Sequence, residues 1–302
     1  MINRIIDISD KGARLSVRHQ QLILAREDCP NVLIPFSDIA VLVLAHPNIS
    51  LTQPVIATLI AHGGTLVTCD ERRLPAGMLL PLQTHSIQTE RIIAQASSSL
   101  PTRKRLWQQI VRAKIQAQAD VLTEFRNTDL GLLALISNVR SGDPANVEAQ
   151  AARRYWTSLF SCNTFRRDRD AQDQNRLLNY GYAVLRAIIA RAICAAGLHP
   201  SLGLHHHNKY NAFCLADDLM EPYRPVVDRV VARFVEKHGF ESDFDRSARL
   251  EMLVSLTGRL DCAGESRTLF DAASRTASSL VGIFLGQQRN LSLPERMVYA
   301  AT

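Results

Sequence analysis

The amino-acid sequence predicts an α+β protein, with a small β-rich N-terminal domain followed by a larger all-α domain. Short β-branched runs fill residues 1–80, whereas apolar residues recur at helical spacing across residues 81–302. Apolar residues make up 46% of the chain, and Gly and Pro together occupy only 26 of 302 positions. This composition supports a packed core and excludes the collagen-like, disordered and disulfide-scaffold classes.

The strands of the first domain are predicted from aliphatic runs that turn-forming residues separate. They cover residues 5–8, 15–17, 22–24, 32–34 and Ile39–Leu44. The last run is apolar on both faces, so we expect it to be the most buried strand. One helix begins at Thr52-Gln53-Pro54 and ends at Gly63-Gly64, and a further strand covers residues 65–68. A small sandwich with one helix is expected.

The second domain is predicted to be helical because apolar residues are spaced three and four positions apart. This pattern covers residues 106–115, 177–193 and 226–235. Residues 94–101 include three consecutive serines and a proline, which are poor in helix interiors, so the first two long helices are expected to separate there.

The chain is basic, and its charge is distributed unevenly. The formal net charge is +6, with 30 Arg and 5 Lys, and residues 1–100 are neutral while residues 101–302 carry the whole excess. Guanidinium groups match phosphate oxygens, so the second part suggests a phosphate-rich partner. A GC-rich coding sequence that favours Arg would explain the composition equally well.

The cysteines and the termini indicate a compartment. The six cysteines form no C-x-x-C pair, no apolar leader follows Met1, and no run approaches the ~20 apolar residues of a membrane span. We therefore expect a disulfide-free cytoplasmic protein without a membrane segment.

The first candidate for chemistry is Glu148. Asp143 followed by Pro144 predicts a helix start, with Glu148 on the first turns beside Ala151 and Ala152. Small neighbours leave the carboxylate room to meet a ligand. The alternative is an ordinary Glu that the helix dipole stabilises.

The second candidate is the run His205-His206-His207, which follows a helix closed by Gly197 and Pro200. Consecutive residues point in different directions, so at most one or two of the imidazoles could bind one ion. A solvated histidine cluster is the alternative.

The third candidate is the set Asp218, Glu221 and Arg224, spaced to share one helical face. Pro222 and Pro225 place this face at a helix start or a kink. Two crowded carboxylates need a cation to offset their repulsion, and Arg224 could be that cation. A surface ion pair is the alternative.

Together these segments offer a Glu, a His and a Glu or Asp within a basic helical domain. Such a donor set suits Mg²⁺ or Mn²⁺ better than zinc, and such an ion can polarise a phosphodiester. The surrounding cations are expected to hold the other phosphates of such a substrate. They are Arg103, Lys104, Arg105, Arg112, Lys114, Arg153, Arg154, Arg166 and Arg167.

Residues 203–228 (GLHHHNKYNAFCLADDLMEPYRPVVD) resemble the signature of Cas1, the CRISPR-associated spacer-acquisition integrase family. That signature has a His, an Asn-x-Phe segment and a Leu-Met-Glu-Pro-Phe-Arg-Pro block. Residues 146–156 (NVEAQAARRYW) are similar to the segment that carries the family's first acidic ligand. Residues 69–75 and 179–186, and Trp107 with Lys114 and Gln118, also fit. The resemblance covers about residues 1–240 and is strongest to the type II (II-C-like) version.

The resemblance implies a catalytic metal site formed by Glu148, one His and Glu221, with Asp218 close by. Counting back from Glu221 as in relatives selects His206, with His205 as an accessory residue. Most relatives have one His at this place.

The resemblance also implies an activity and partners. Short foreign DNA duplexes would be inserted into the CRISPR repeat by attack of a 3′-hydroxyl, without ATP, and water as the nucleophile would give endonuclease activity. The N-terminal domain would make dimer and partner contacts. Two homodimers would be bridged by a dimer of the small ferredoxin-like Cas2, alongside the type II effector nuclease. The alternatives are a non-catalytic DNA-binding scaffold and a metal phosphoesterase acting on small molecules.

Overall fold

The computed structural model describes residues 3–27, 29–71, 73–160, 165–168, 170–171, 173–240, 245–262, 265–294 and 297–299. Its N-terminal part consists mainly of strands. They are β1 (Arg4–Ile8), β2 (Ala13–Arg18), β3 (Gln21–Arg26), β4 (Cys29–Pro35), β5 (Ile39–Leu44), β6 (Ile49–Leu51), β7 (Thr65–Cys69) and β8 (Pro75–Leu79). The predicted strands are confirmed, whereas the short β6 and β8 were not predicted.

These strands form two four-stranded sheets. The first has the order β1-β5-β7-β8, with β1, β5 and β7 parallel and β8 antiparallel to β7. The second has the order β4-β3-β2-β6, in which β2, β3 and β4 form an antiparallel meander and β6 runs parallel to β2. The predicted helix, α1 (Gln53–Ala61), connects β6 to β7.

Strand β5 lies between two apolar cores, which explains why its sequence is apolar on both faces. Leu42 packs into a core shared by the two sheets and α1. Val41 and Val43, on the opposite face, join the large core of the helical part. The β-rich part and the helices are therefore joined by apolar packing.

The rest of the chain is mainly helical. The helices are α2 (Gln88–Ala96), α3 (Leu100–Arg126), α4 (Leu132–Ile136), α5 (Val147–Leu159), α6 (Asn175–Ala195), α7 (Cys214–Met220), α8 (Arg224–His238), α9 (Arg246–Leu256) and α10 (Leu269–Phe284). The break between α2 and α3 confirms the prediction for residues 94–101. The change from strands to helices falls between Leu79 and Gln88, beside the boundary expected at residue 80; that the two parts are separate domains stays a prediction.

The C-terminal part also contains strands, so the expectation of an all-α region was too narrow. Strands β9 (Arg259–Cys262), β10 (Glu265–Thr268) and β11 (Met297–Tyr299) form an antiparallel sheet of order β10-β9-β11. Each has only three or four residues, and β10 reads Glu-Ser-Arg-Thr, so it lacks the apolar alternation that marks a strand.

Helix α6 is the centre of the helical core. Among the described residues it is the one helix long and apolar enough to cross a membrane by length and composition. However, 78% of its apolar window is buried inside the protein, as expected for a core helix.

Candidate metal centre

Glu148 lies at the start of α5, and the turn before the helix fixes its backbone. The predicted start at Pro144 was wrong, since α5 begins at Val147. Asp143 and Asn146 adopt left-handed φ angles of 47° and 50°, which Asp and Asn tolerate better than most residues. Across this turn the Asp143 carboxylate accepts hydrogen bonds from the amides of Val147 (2.9 Å) and Glu148 (3.0 Å). Asp143 thus caps α5 from four residues before its first residue, whereas we expected it to lie directly before the helix.

Glu221 lies at the junction of α7 and α8. Helix α7 ends at Met220, a 3₁₀ turn covers Glu221–Tyr223, and α8 begins at Arg224. Pro222 and Pro225 therefore lie at a helix junction, in agreement with the predicted helix start or kink. The Glu221 side chain is buried, and its Oε1 lies 2.9 Å from Arg224 Nε.

Lys114 of α3 joins the two glutamates. Its Nζ lies 2.5 Å from Glu148 Oε1 and 2.5 Å from Glu221 Oε2. Burial alone would raise the pKa of Glu221, but Arg224 and Lys114 more than offset it and hold that pKa at about 2. Burial would lower the pKa of Lys114, yet Glu221 and Glu148 raise it. At the centre of the site, the carboxylates of Glu148 and Glu221 both contact the ammonium group of Lys114.

His206 stands beside this pair and is held by Asp218. The fully buried Asp218 carboxylate accepts hydrogen bonds from the amides of Leu204 (2.6 Å) and His205 (2.9 Å), and lies 2.5 Å from His206 Nδ1. The hydrogen bond to Asp218 raises the pKa of His206 despite partial burial. A carboxylate on one ring nitrogen leaves the other for a ligand, which is the usual support of a metal-binding His.

The three histidines have different environments. The His205 ring stacks on Trp107, with centroids 4.2 Å apart and planes 4° apart. Burial, with the neighbouring His206, lowers the pKa of His205. The Trp107 ring meets His206 edge-on at 5.5 Å, and His207 is exposed. His206 is thus the imidazole whose orientation a carboxylate fixes.

The structure brings together Glu148 and Glu221, but not a complete cluster of ligands. Within the described part of the chain, no three His, Cys, Asp or Glu side chains lie close enough to hold a metal ion. The expectation that Asp218 and Glu221 share Arg224 as counter-ion was also wrong. Asp218 turns to the loop before α7, while Arg224 forms an ion pair with Glu221.

Sequence reasoning missed Gln95 of α2, which fixes the loop leading to His206. Its buried amide nitrogen donates to the carbonyls of His199 (2.9 Å) and Leu202 (3.0 Å), and its oxygen accepts from the His199 amide (2.9 Å). Gly203, which follows Leu202, has no room for a side chain, because a Cβ there would clash with the His206 carbonyl oxygen. Gly203 opens the segment that resembles the family signature, whereas no signal in the sequence marks Gln95.

A polar cleft adjoins Lys114 and Glu221. It has a volume of about 170 Å³ and is lined by Lys114, Gln118, Trp156, Arg167, Tyr182, Glu221, Arg224 and Asp228. The guanidinium groups of Arg224 and Arg167 lie over the Tyr182 ring, at 4.7 and 5.3 Å from its centroid. Asp228 accepts hydrogen bonds from the hydroxyls of Tyr155 and Tyr182.

The predicted DNA-binding cations lie on three segments. Helix α3 carries Arg103, Lys104, Arg105 and Arg112, helix α5 carries Arg153 and Arg154, and Arg166 and Arg167 follow α5. Most are exposed, whereas Arg103 and Arg167 are half-buried. Lys114 differs from the rest, because it is buried and paired with glutamates.

Comparison with known proteins gives consistent results. The family model described as CRISPR associated protein Cas1 matches residues 6–265. A CRISPR-associated endonuclease Cas1 of Neisseria meningitidis serogroup C (strain 8013) is 37% identical over 288 residues, covering 94% of this chain and 93% of the relative.

Two solved structures share the fold. One is a casposase bound to integration product, with a TM-score of 0.79 and 20% identity over 95% of this chain and 92% of that chain. The other belongs to a Cas6-RT-Cas1–Cas2 complex, with a TM-score of 0.72 and 18% identity over 99% of this chain and 36% of that chain. A β-rich N-terminal part with a helical C-terminal part is confirmed as the shared architecture.

Proposed function

Because this chain belongs to the CRISPR-associated Cas1 family, we propose that it is a metal-dependent DNA endonuclease and integrase of CRISPR adaptation. It inserts short foreign duplexes into the repeat array. The observation that carries the proposal is the meeting of two glutamates from separate helices, Glu148 and Glu221, on one buried cation.

The donor chemistry of this place fits a hard divalent ion. Glu148 and Glu221 already share a positive charge, and His206 next to them has one ring nitrogen engaged by Asp218. These three residues would hold Mg²⁺ or Mn²⁺. When bound, such an ion would polarise the phosphodiester and favour the oxyanion form of the attacking hydroxyl.

The chain's own residues position the reactants. Asp218 fixes the His206 ring and Arg224 balances the charge of Glu221, while the exposed cations of α3 and α5 bind the DNA backbone. The captured strand's 3′-oxygen forms a bond to phosphorus as the bond from phosphorus to the leaving 3′-oxygen breaks. The leaving oxygen takes up a proton, so one phosphodiester replaces another. With water as the attacking group the same step is hydrolysis.

The assembly is proposed on family membership. Homodimers form through the β-rich part, and a Cas2 dimer bridges two of them, in the type II arrangement with its effector nuclease. Double-stranded DNA is both the captured fragment and the target. The free thiols of Cys29, Cys69, Cys194 and Cys214 support a cytoplasmic location.

Strand transfer in vitro tests the proposal. A short duplex with 3′-hydroxyl ends is incubated with a repeat-containing plasmid and Mn²⁺, with and without Cas2. The wild type should join the two DNAs, and Glu148→Gln should lower the rate at least ~100-fold while DNA binding survives. Glu90→Gln, an exposed position on α2, is the matched control and should behave as the wild type.

Full strand transfer by Glu148→Gln would refute this site. DNA binding that is tight, insensitive to Mn²⁺ and unaccompanied by any joined product would instead favour the non-catalytic scaffold.

A further inference from the structure

The ammonium of Lys114 occupies the place where the two glutamates converge. Its side chain is 10% exposed, that of Glu221 is 8% exposed and that of Glu148 is 27% exposed. Solvent therefore reaches the pair mainly from the Glu148 side. An ion that enters from this side meets Lys114 between the two carboxylates.

The charge balance disfavours the presence of both the Lys114 ammonium and a divalent ion at the glutamate pair. Glu148 and Glu221 are already balanced by Lys114 and Arg224. A divalent ion would bring the positive charge on these two carboxylates to four, and excess charge in a buried place is costly. Arg224 is fixed over the Tyr182 ring. Lys114, with its flexible four-carbon stem, is the cation that can move.

The cleft next to Lys114 offers the ammonium another position. Lys114 itself lines this cleft of about 170 Å³. Gln118 lies one turn further along α3, on the same side of the helix. Gln118 is 2% exposed, and its Oε1 is buried with no hydrogen-bond partner among the residues that the structure describes. A buried amide oxygen of this kind readily accepts a hydrogen bond from an ammonium.

We propose that Lys114 is a resident counter-cation of the Glu148–Glu221 pair, and that a divalent ion binds by displacing its ammonium into the cleft beside Gln118. This inference rests on the proposed metal site. It explains why the two carboxylates lie together although the described residues form no ready cluster of three ligands.

Mn²⁺ titration of the full chain, followed by electron paramagnetic resonance, tests the exchange. Lys114→Met keeps the length of the side chain and removes the competing charge. We expect this variant to bind Mn²⁺ at least tenfold more tightly than the wild type. Without metal it should melt at a lower temperature, because the two carboxylates then repel each other, and Mn²⁺ should raise its melting temperature more than that of the wild type. Lys237→Met, at a position 66% exposed on α8, is the matched control and should bind Mn²⁺ as the wild type does.

A second variant covers the case in which Lys114→Met does not fold. Lys114→Arg keeps a permanent charge on a bulkier group that the cleft accommodates less easily, so Mn²⁺ should bind at least tenfold more weakly.

The outcomes separate the two proposals. Equal Mn²⁺ affinity in the wild type and Lys114→Met, or loss of Mn²⁺ binding in that variant, would overturn the displacement. Absence of Mn²⁺ binding in every variant would overturn the metal site and the displacement together. Tighter Mn²⁺ binding by Lys114→Met, in a protein whose wild type transfers no strand, would uphold the displacement and refute the integrase function.

Discussion

At the scale of single residues, the partner of each side chain decides its role. Three adjacent histidines have the same chemistry, but only His206 has a ring nitrogen held by a buried carboxylate, while His205 lies flat on Trp107. The choice among them therefore depends on contacts with Asp218 of the following helix α7 and with Trp107 of α3, which is distant in sequence.

Histidine substitutions test this assignment. His206→Ala should lower Mn²⁺-dependent strand transfer about 100-fold or more, because it removes the proposed metal ligand, whose orientation Asp218 fixes. His205→Ala should cost less than about tenfold, since it removes mainly the stacking on Trp107. Single-turnover strand-transfer rates measure both, and the reverse order would show that His205 is the ligand.

The raised pKa of Asp228 predicts that the stability of the protein depends on pH. Burial raises its pKa to about 7, although hydrogen bonds from Tyr182 and Tyr155 work in the opposite direction. Between pH 4 and 7 the folded protein holds a proton that the unfolded chain has released, so the contribution of this group to stability falls as pH rises.

From pH 5 to pH 8 the wild type should lose about 3 kcal/mol of unfolding free energy relative to Asp228→Asn, which does not titrate there. Urea denaturation at the two pH values measures the difference. Parallel pH dependence in the two proteins would mean that Asp228 is ionised throughout this range.

The site was predictable from the sequence only in part. Glu148, His206 and Glu221 could be named from motifs that resemble a family. Lys114 follows Ile110 by four positions and Val111 by three, so the apolar pattern of α3 places it on the buried face. Its contact with both glutamates could not be predicted, because that depends on how α5 and the turn at Glu221 pack against this face, and Lys114 was grouped with the DNA-binding cations.

At the scale of elements, the length and regularity of the pattern determined what could be predicted. Helices α3, α6 and α8 repeat their apolar residues over several turns and were predicted correctly. Strands β9, β10 and β11 are too short for such a pattern. The start of α5 was misplaced because Asp143 caps it across a left-handed turn that resembles an ordinary Asp-Pro start in the sequence.

Close packing around α6 gives a test at this scale. A Cβ at Gly181 would lie 2.5 Å from Val227 Cγ1 and 2.9 Å from Met252 Sδ. Gly181→Ala should therefore destabilise the protein by about 1 to 3 kcal/mol, although alanine favours a helix.

Gly282 of α10 is the matched control. The three atoms nearest to a Cβ there all belong to the flexible side chain of Gln288, the nearest at 3.1 Å, so Gly282→Ala should change stability by less than about 1 kcal/mol. Thermal or urea unfolding compares the two variants, and equal effects would contradict close packing of α6 against α8 and α9.

At the scale of the whole molecule, the distribution of charge separates the two parts. The +6 excess lies within residues 101–302, the region that also contains the glutamate pair. Arginine is the main cation throughout, and codon usage remains a sufficient reason for the choice of Arg over Lys.

Salt dependence of DNA binding tests what this charge does. Replacing Arg153 and Arg154 with Ala together should weaken duplex binding and reduce the slope of log affinity against log salt by about 2. Replacing Arg14 and Arg18, two exposed arginines of the neutral N-terminal part, removes the same charge and should leave the slope unchanged. An equal loss of slope in both pairs would mean that net charge, and not its position, governs binding.

Strand β5 packs into both apolar cores, and this limits how the protein can be divided into fragments. Val41 and Val43 belong to the core of the helices, so a chain shortened to residues 81–302 would expose the apolar surface on which they pack. Such a fragment should aggregate when expressed alone. Exchanging the β-rich part with that of a relative would succeed only if the new strand supplied the same shape on both faces. The two parts therefore share one apolar interface, and we expect that neither would fold on its own.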